Sequence, residues 1–292
     1  MIKKILCIIL HFGNEDLTWN CVKSLIQYDF LDIIISDNDI TQSINLINDY
    51  KEKVTIFRTG GTDGFAQANN RTVTSCRKKE HFAVLLLNND TIAADGSILL
   101  LKKALDNKKV GAVGPCMPYL QQPEIVWACG GYINKLTVTL GGVQEKGNGT
   151  PFDVDYLPGA AILCKLTCWD KVGGLPEKYF LAYEEAEFAL RIKKLGFRII
   201  VDPKSIIYHK VGMSSDPKPK YRYNSIRNRM KFASFIWGKP IGSAYVITLS
   251  FLVTILKRRN ISLWMNAVWD ELRNLPLDRD SLITAENKFK KY

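Results

Sequence analysis

Four groups of residues carry side chains able to do chemistry. Asn88-Asn89-Asp90 follows the strongly apolar run Val84-Leu85-Leu86-Leu87, so a carboxylate stands at what reads as a strand end. Such a carboxylate can hold a divalent cation that bridges two phosphates and offsets charge on a diphosphate leaving group. An Asp that merely turns or caps the chain is the simpler alternative. Gly60-Gly61-Thr62-Asp63-Gly64-Phe65 runs through Ala66-Gln67-Ala68-Asn69-Asn70 into a helix, and there the backbone can approach an anion. It lacks the G-x-G-x-x-G spacing of a dinucleotide fingerprint. Glu184, Glu185 and Glu187 open a helix. There they complement the helix dipole, or one of them takes a proton from an acceptor hydroxyl, with Tyr179-Phe180-Leu181 as an apolar wall that raises its pKa. His209 ends a short apolar run. Tyr221, Arg222, Tyr223, Arg227, Asn228, Arg229 and Lys231 form a basic helix whose guanidinium groups can clamp phosphate or simply be solvated.

The elements that must position these groups alternate. Strands are predicted over Lys4–Leu10, Asp32–Asp37, Val54–Arg58, Phe82–Leu87 and Val110–Gly114, with helices over Asp16–Gln27, Ile44–Tyr50, Ala66–Lys79 and Gly96–Asn107 between them. Unbroken apolar strands alternating with helices imply a mostly parallel α/β sheet covered on both faces. Ligands then bind at the strands' carboxyl ends, where His11-Phe12-Gly13, Asp37-Asn38, the Gly60 loop and Asn88-Asn89-Asp90 lie. Beyond Cys116 the pattern reads as a hairpin over Trp127–Leu140 and a strand over Tyr156–Lys165 broken by Pro158-Gly159. A helix follows over Glu184–Leu195, then two short strands, Arg198–Val201 and Ile206–Tyr208. The basic helix is predicted over Tyr221–Trp237, followed by the apolar stretch Ile241–Leu256 and Lys257-Arg258-Arg259.

Composition narrows the partners. The 292 residues carry a net charge of +11, but twelve Lys or Arg and one acid fall between Lys204 and Arg259; the remainder is balanced. The basic segment abuts a long apolar run, so an anionic membrane surface fits better than nucleic acid. The sixteen residues of that stretch fall short of a bilayer crossing and suit an interfacial or packed helix. Met1–Leu10 is too short for a signal peptide, and seven cysteines inside mostly apolar runs read as reduced core thiols of a cytosolic chain.

Taken in order, these motifs resemble family 2 glycosyltransferases of the GT-A fold, especially the bacterial rhamnosyltransferase-like branch, over roughly residues 4 to 238. By that resemblance Asp37-Asn38 is the pair whose Asp contacts the nucleotide base. Asp63, Gly64, Phe65 and Asn69 belong to the donor loop, with Asp63 in place of a common Asn. Asn88-Asn89-Asp90 is a form of D-x-D that leaves Asp90 as the metal ligand. Leu157-Pro158-Gly159-Ala160-Ala161 lines the donor and acceptor pocket. Glu184-Glu185-Ala186-Glu187-Phe188-Ala189-Leu190-Arg191 matches E-D-x-D-x-x-x-R, which puts Glu185 in the place of the catalytic base; Glu stands for Asp at 185 and 187. Tyr208-His209-x-x-Gly212 places His209 at the metal and diphosphate, and Arg227-Asn228-Arg229 matches the closing helix.

The resemblance implies an inverting transfer of a sugar, rhamnose among the options, from a dTDP-, UDP- or GDP-linked donor. The acceptor is a glycan or a polyprenyl-linked carrier in surface polysaccharide synthesis, and Mg²⁺ or Mn²⁺ is the cofactor. His11, Phe12, Asn88 and Arg227 complete the expected donor site, and Glu184 joins the pocket. Three parts are expected: a nucleotide-sugar half (1–115), an acceptor half (116–212) and a membrane-proximal helical region (213–292), with peripheral contact through 221–259 at the inner face of the plasma membrane. A sugar-phosphate nucleotidyltransferase would need a basic Gly-rich loop directly after the first strand, and His11-Phe12-Gly13-Asn14-Glu15 supplies none. A non-catalytic glycan- or lipid-binding relative is the other alternative.

Overall fold

The computed structural model describes residues 3–61, 63–145, 147–210, 219–256 and 260–289. The first half consists of β1 (Lys4–His11), α1 (Glu15–Leu25), β2 (Leu31–Asp37), β3 (Val54–Arg58), α2 (Phe65–Cys76), β4 (His81–Asn88), β5 (Thr91–Ala93), α3 (Ser97–Leu105) and β6 (Val110–Pro118). Next come β7 (Val126–Ala128), β8 (Gly131–Asn134), β9 (Thr139–Gly142), β10 (Phe152–Asp153), β11 (Ala161–Lys165), α4 (Leu166–Val172), α5 (Glu184–Lys194) and β12 (Arg198–His209). The chain then turns helical, with α6 (Pro219–Trp237), α7 (Ile241–Leu256), α8 (Ile261–Leu272) and α9 (Arg279–Phe289).

The main sheet runs β10-β12-β6-β11-β4-β1-β2-β3. β1 pairs in parallel with β2 and β4, β2 with β3, and β6 with β12, while β11 inserts antiparallel between β4 and β6. The apolar runs demand this two-sided burial. Along β1, Ile5, Cys7 and Ile9 join the core under α1 and α3, while Leu6 and Ile8 join the core formed with α2, α4 and α5. Period-two alternation within one buried strand thus feeds two cores.

One predicted helix does not form. Ile44–Tyr50 contains only a 3₁₀ turn, Asn48–Tyr50. The preceding segment is instead organised by Asp39, whose carboxylate accepts from the backbone N–H groups of Gly13, Thr41 and Gln42. Those bonds, together with the Thr41 hydroxyl, hold the Asp39 carboxyl below its usual range although burial pushes the other way. Likewise the two short strands expected near 200 are one strand, β12. Its register against β6 shifts between Asp202 and Ile206, so a bend absorbs Pro203 without ending the strand.

Candidate active site

The topology brings Asp90 to His209. β5 runs antiparallel to the end of β12 with Thr91 opposite His209, and the Lys210 N–H donates to the Asp90 carbonyl at 2.9 Å. His209 Nε2 then lies 3.1 Å from Asp90 Oδ1. The ring packs edge-on against Trp127, with centroids 4.5 Å apart. Apart from that contact with His209, the buried Asp90 Oδ1 makes no hydrogen bond, and His209 Nδ1 is buried without any. Unsatisfied buried polar atoms cost free energy, and their concentration here points to a partner the protein itself does not supply. One carboxylate and one imidazole, with the rest of the shell left to phosphate oxygens and water, suit Mg²⁺ or Mn²⁺. Among the described residues no cluster of three or more His, Cys, Asp or Glu forms a metal cage.

His209 and Glu185 line one open cavity of about 480 Å³. Asn88, Phe65, Pro158, Gly159, Ala160 and Glu184, all named from the motifs, line it too. Leu157 lies just beneath, buried. Glu185 opens α5, and its Oε2 is fully buried without a partner although the residue as a whole is only partly covered. Burial pushes its carboxyl up to about 7, against opposing backbone hydrogen bonds at the helix start. Glu184 is raised as well, by burial first and then by the adjacent Glu185 charge; its Oε1 is held by the Ala182 N–H at 3.0 Å. Glu187, by contrast, is a structural anchor: it accepts from Tyr179 Oη and Arg191 and pairs with Lys178 at 2.7 Å.

The turn before α5 is strained. Ala182 and Tyr183 have φ of 69° and 78°, a conformation unfavourable for residues with a Cβ. Asn224 and Asn228 on α6 hold it there: both donate to the Leu181 carbonyl, at 2.5 and 2.8 Å, and Asn228 also donates to Ala182 at 3.0 Å. This is what the closing helix does for the site, and the sequence motif gave no hint of those partners. Trp127, Tyr119, Tyr156 and Gln144 also line the cavity and had not been singled out. Trp127 and Tyr156 carried a sequence signal only as aromatic residues opening the predicted hairpin and broken strand, and Tyr119 and Gln144 carried none.

Several expected donor contacts are spent inside the protein. His11 is fully buried, with Nδ1 on Thr18 Oγ1 at 2.7 Å and Nε2 on the Gln42 carbonyl at 2.9 Å, so its ring ties β1 to α1 and the Asp39 loop. Asn38 donates to the Asp63 carbonyl at 2.9 Å and accepts from Thr59 at 2.6 Å. The Asp37 carboxylate is buried against the Arg58 guanidinium. These side chains shape the base-side turns rather than project from them.

Other residues at that edge remain open to a ligand. Phe12 is 51% exposed, and Asn89 donates to its carbonyl at 3.2 Å. Asn69 leaves its buried Oδ1 without a hydrogen bond, whereas Asp63, whose carboxyl burial pushes up, has its Oδ2 3.2 Å from Arg71 Nη1. Gly64 must be glycine, because a Cβ would stand 2.6 Å from the Phe180 carbonyl that receives the Phe65 N–H.

The largest correction is Arg227. It is fully buried and turned into the helical packing, with Nε on Glu271 at 3.1 Å and Nη1 on Tyr223 Oη at 3.1 Å and Pro276 O at 2.9 Å; Nη2 goes to the Leu275 carbonyl. Four of its five N–H donors are spent inside this packing, and Arg227 is not among the residues lining the cavity. Arg227→Ala is therefore expected to destabilise the fold by about 3 kcal/mol, since it removes a fully buried side chain and leaves the Leu275 and Pro276 carbonyls without their donor, while donor KM stays near wild type. Thermal unfolding and donor titration check this together. Gly212, from the histidine motif, lies outside the described residues.

A half-parallel sheet with ligand-facing carboxylates at its strand ends, closed by a helical cap, defines a GT-A architecture. Residues 8–231 match the glycosyltransferase like family 2, and the chain belongs to that family. It is 25% identical over 189 residues to the N-acetylglucosaminyl-diphospho-decaprenol L-rhamnosyltransferase of Mycobacterium tuberculosis, a match covering 57% of this chain and 62% of that protein. The resemblance drawn from the motifs is borne out.

Among solved structures, the mannosyltransferase PcManGT from Pyrobaculum calidifontis, in complex with GDP-Man and Mn²⁺, superposes with a TM-score of 0.57 at 14% identity, covering 92% of this chain and 87% of that one. S. aureus TarS 1-349 with UDP-GlcNAc gives 0.58 at 15% identity over 94% and 82% of the two chains. GalNAc-T7 with UDP, GalNAc and Mn²⁺ gives 0.63 at 14% identity over 82% and 49%. At such identities these likenesses establish the fold.

Proposed function

We propose that this chain is an inverting glycosyltransferase that moves a sugar, rhamnose being the leading option, from a nucleoside-diphosphate donor to a hydroxyl of a lipid-linked glycan. The single observation that carries the reading is the cavity lined by both Glu185, whose Oε2 has no partner, and His209, itself 3.1 Å from Asp90.

Glu185 takes the proton of the acceptor hydroxyl as that oxygen bonds to the anomeric carbon. The bond from that carbon to the diphosphate oxygen breaks on the opposite side, and the single displacement inverts the centre. Burial suits Glu185 to the task, because a carboxyl titrating near neutrality accepts a proton readily yet is ionised at working pH. Asp90 and His209 would hold Mg²⁺ or Mn²⁺, which supplies positive charge against the departing diphosphate. Phe12, the Asp63–Phe65 loop and Asn69 face the nucleotide, and Trp127, Tyr119 and Tyr156 offer flat apolar faces to the acceptor sugar. On this reading the donor half runs to about residue 115, the acceptor half to 212, and the helical region beyond closes the site.

The lipid-linked acceptor is supported by the decaprenol-linked substrate in the mycobacterial relative's name and by the polarity of α7. That helix is inside out. Gly242, Val246, Ser250 and Thr254 face the protein, whereas Ile241, Phe251, Leu252, Ile255 and Leu256 face outward. Small residues between helices with bulky apolar ones outward is the packing of helices in lipid. Among the described residues no helix is long and apolar enough to cross a membrane, so α7 would lie in the interface at the inner leaflet. Lys257-Arg258-Arg259 lie outside the described residues.

A panel of UDP-, dTDP- and GDP-sugars, followed by thermal unfolding with and without Mn²⁺, tests the donor assignment. One nucleotide class should raise Tm by several degrees only when Mn²⁺ is present. Uniform indifference to every nucleotide-sugar would overturn the enzymatic reading.

A further inference from the structure

A second cavity, of about 510 Å³, shares no lining residue with the catalytic cleft and is lined by Lys178, Lys231, Lys239 and Glu271 together with Phe235 and Leu272. Its charge does not balance. The Phe235 ring alone has the Lys194 ammonium 4.7 Å from its centroid, Lys178 at 5.3 Å and Arg191 at 6.0 Å. Two carboxylates serve the whole group. Glu187 holds Lys178 and Arg191, at 2.7 and 2.6 Å, and Glu271 holds Arg227 and Lys231, at 3.1 and 3.7 Å. Lys194 and Lys239 have no carboxylate partner among the described residues. Burial chiefly, with Arg227 and Lys178 adding and Glu271 opposing, pushes the Lys231 ammonium below its ordinary value. A concave site with surplus cations and low dielectric attracts an anion.

What borders the cavity identifies the anion. Leu272 belongs to an exposed stripe on α8, with Ile261, Met265 and Trp269, and Pro240 leads directly into the outward apolar face of α7. Arg273 stands 4.5 Å over the Trp269 ring, an aromatic and cationic pairing suited to a headgroup layer. A ligand that places a phosphate among lysines and its hydrocarbon along α7 and α8 satisfies both surfaces at once. We propose that this cavity binds the phosphate headgroup of an anionic phospholipid and so orients the enzyme on the membrane. The proposal rests on the membrane contact inferred above and names the group that contact recognises.

Co-sedimentation of the full chain with phosphatidylcholine vesicles, with and without phosphatidylglycerol, tests it, with inorganic phosphate titrated separately by calorimetry. The variant is Lys194→Glu combined with Lys239→Glu, two exposed positions outside the catalytic cleft. Wild type is expected to prefer phosphatidylglycerol vesicles, and the double variant to lose that preference by about tenfold or more. Leu252→Ser on α7 is expected to weaken binding to both vesicle types. Equal phosphatidylglycerol binding by wild type and the double variant overturns the cavity while leaving the membrane contact intact. Failure of wild type to bind either vesicle overturns both. Loss of inorganic phosphate binding in the double variant with unchanged vesicle binding means the cavity serves a soluble anion, which also overturns the proposal.

Discussion

Glu185→Gln is expected to reduce sugar transfer by about 10³-fold while nucleoside-diphosphate affinity changes less than about twofold. The amide keeps the shape of the side chain and removes the base. Two further readouts separate a proton-transfer role from a structural one. In the wild type, kcat/KM should rise with pH through about 7, as the buried carboxyl ionises, and flatten above it. Stability should move the other way. A carboxyl with a raised folded pKa binds its proton more tightly in the native state, so between the ordinary glutamate value and about 7 the fold loses stability as pH rises. Glu185→Gln lacks that loss, and its Tm should match wild type near pH 5 and exceed it by a few degrees near pH 8. Equal transfer rates in variant and wild type would end the base assignment.

Removing the divalent ion with a chelator is expected to cost about 10³-fold in transfer, equivalent to about 4 kcal/mol of transition-state stabilisation, and Mn²⁺ should restore it. Asp90→Ala should show the same loss without restoration. The reason is geometric: on the proposed reading the Asp90 carboxylate and the His209 ring, 3.1 Å apart, together hold the ion. A fully active Asp90→Ala enzyme, or one rescued by Mn²⁺ to wild-type rates, would remove Asp90 from the metal site.

Much of this arrangement was legible in the sequence. Apolar runs bounded by turns gave β1 to β4 and the start of β6, because a strand buried on both faces leaves no alternative composition. The apolar stretch Ile241–Leu256 coincides with α7 at both ends. The order of motifs placed Asn88, Glu184, Glu185 and His209 around one cavity. What stayed hidden was the identity of partners. His11, Asn38 and Arg227 are residue types that bind donors, and nothing local reveals that Gln42, Thr59 and Glu271 already occupy their polar atoms. The failed helix at Ile44–Tyr50 shows the same limit. Its apolar spacing was helical, yet Asp39, buried and hydrogen-bonded to three backbone N–H groups, fixes an irregular path before the helix can start. α8 and α9 went unread because their pattern serves packing on α6, which only the tertiary structure supplies. The positive φ of Ala182 and Tyr183 likewise depends on asparagines more than forty residues away.

The most direct measurement is the position of Mn²⁺, located by anomalous scattering in crystals grown with the tightest-binding nucleoside diphosphate. A single ion touching the Asp90 carboxylate, the His209 ring and the diphosphate, with Glu185 facing it across the cavity, is the expected result. An ion and diphosphate bound away from both Asp90 and His209 would contradict it.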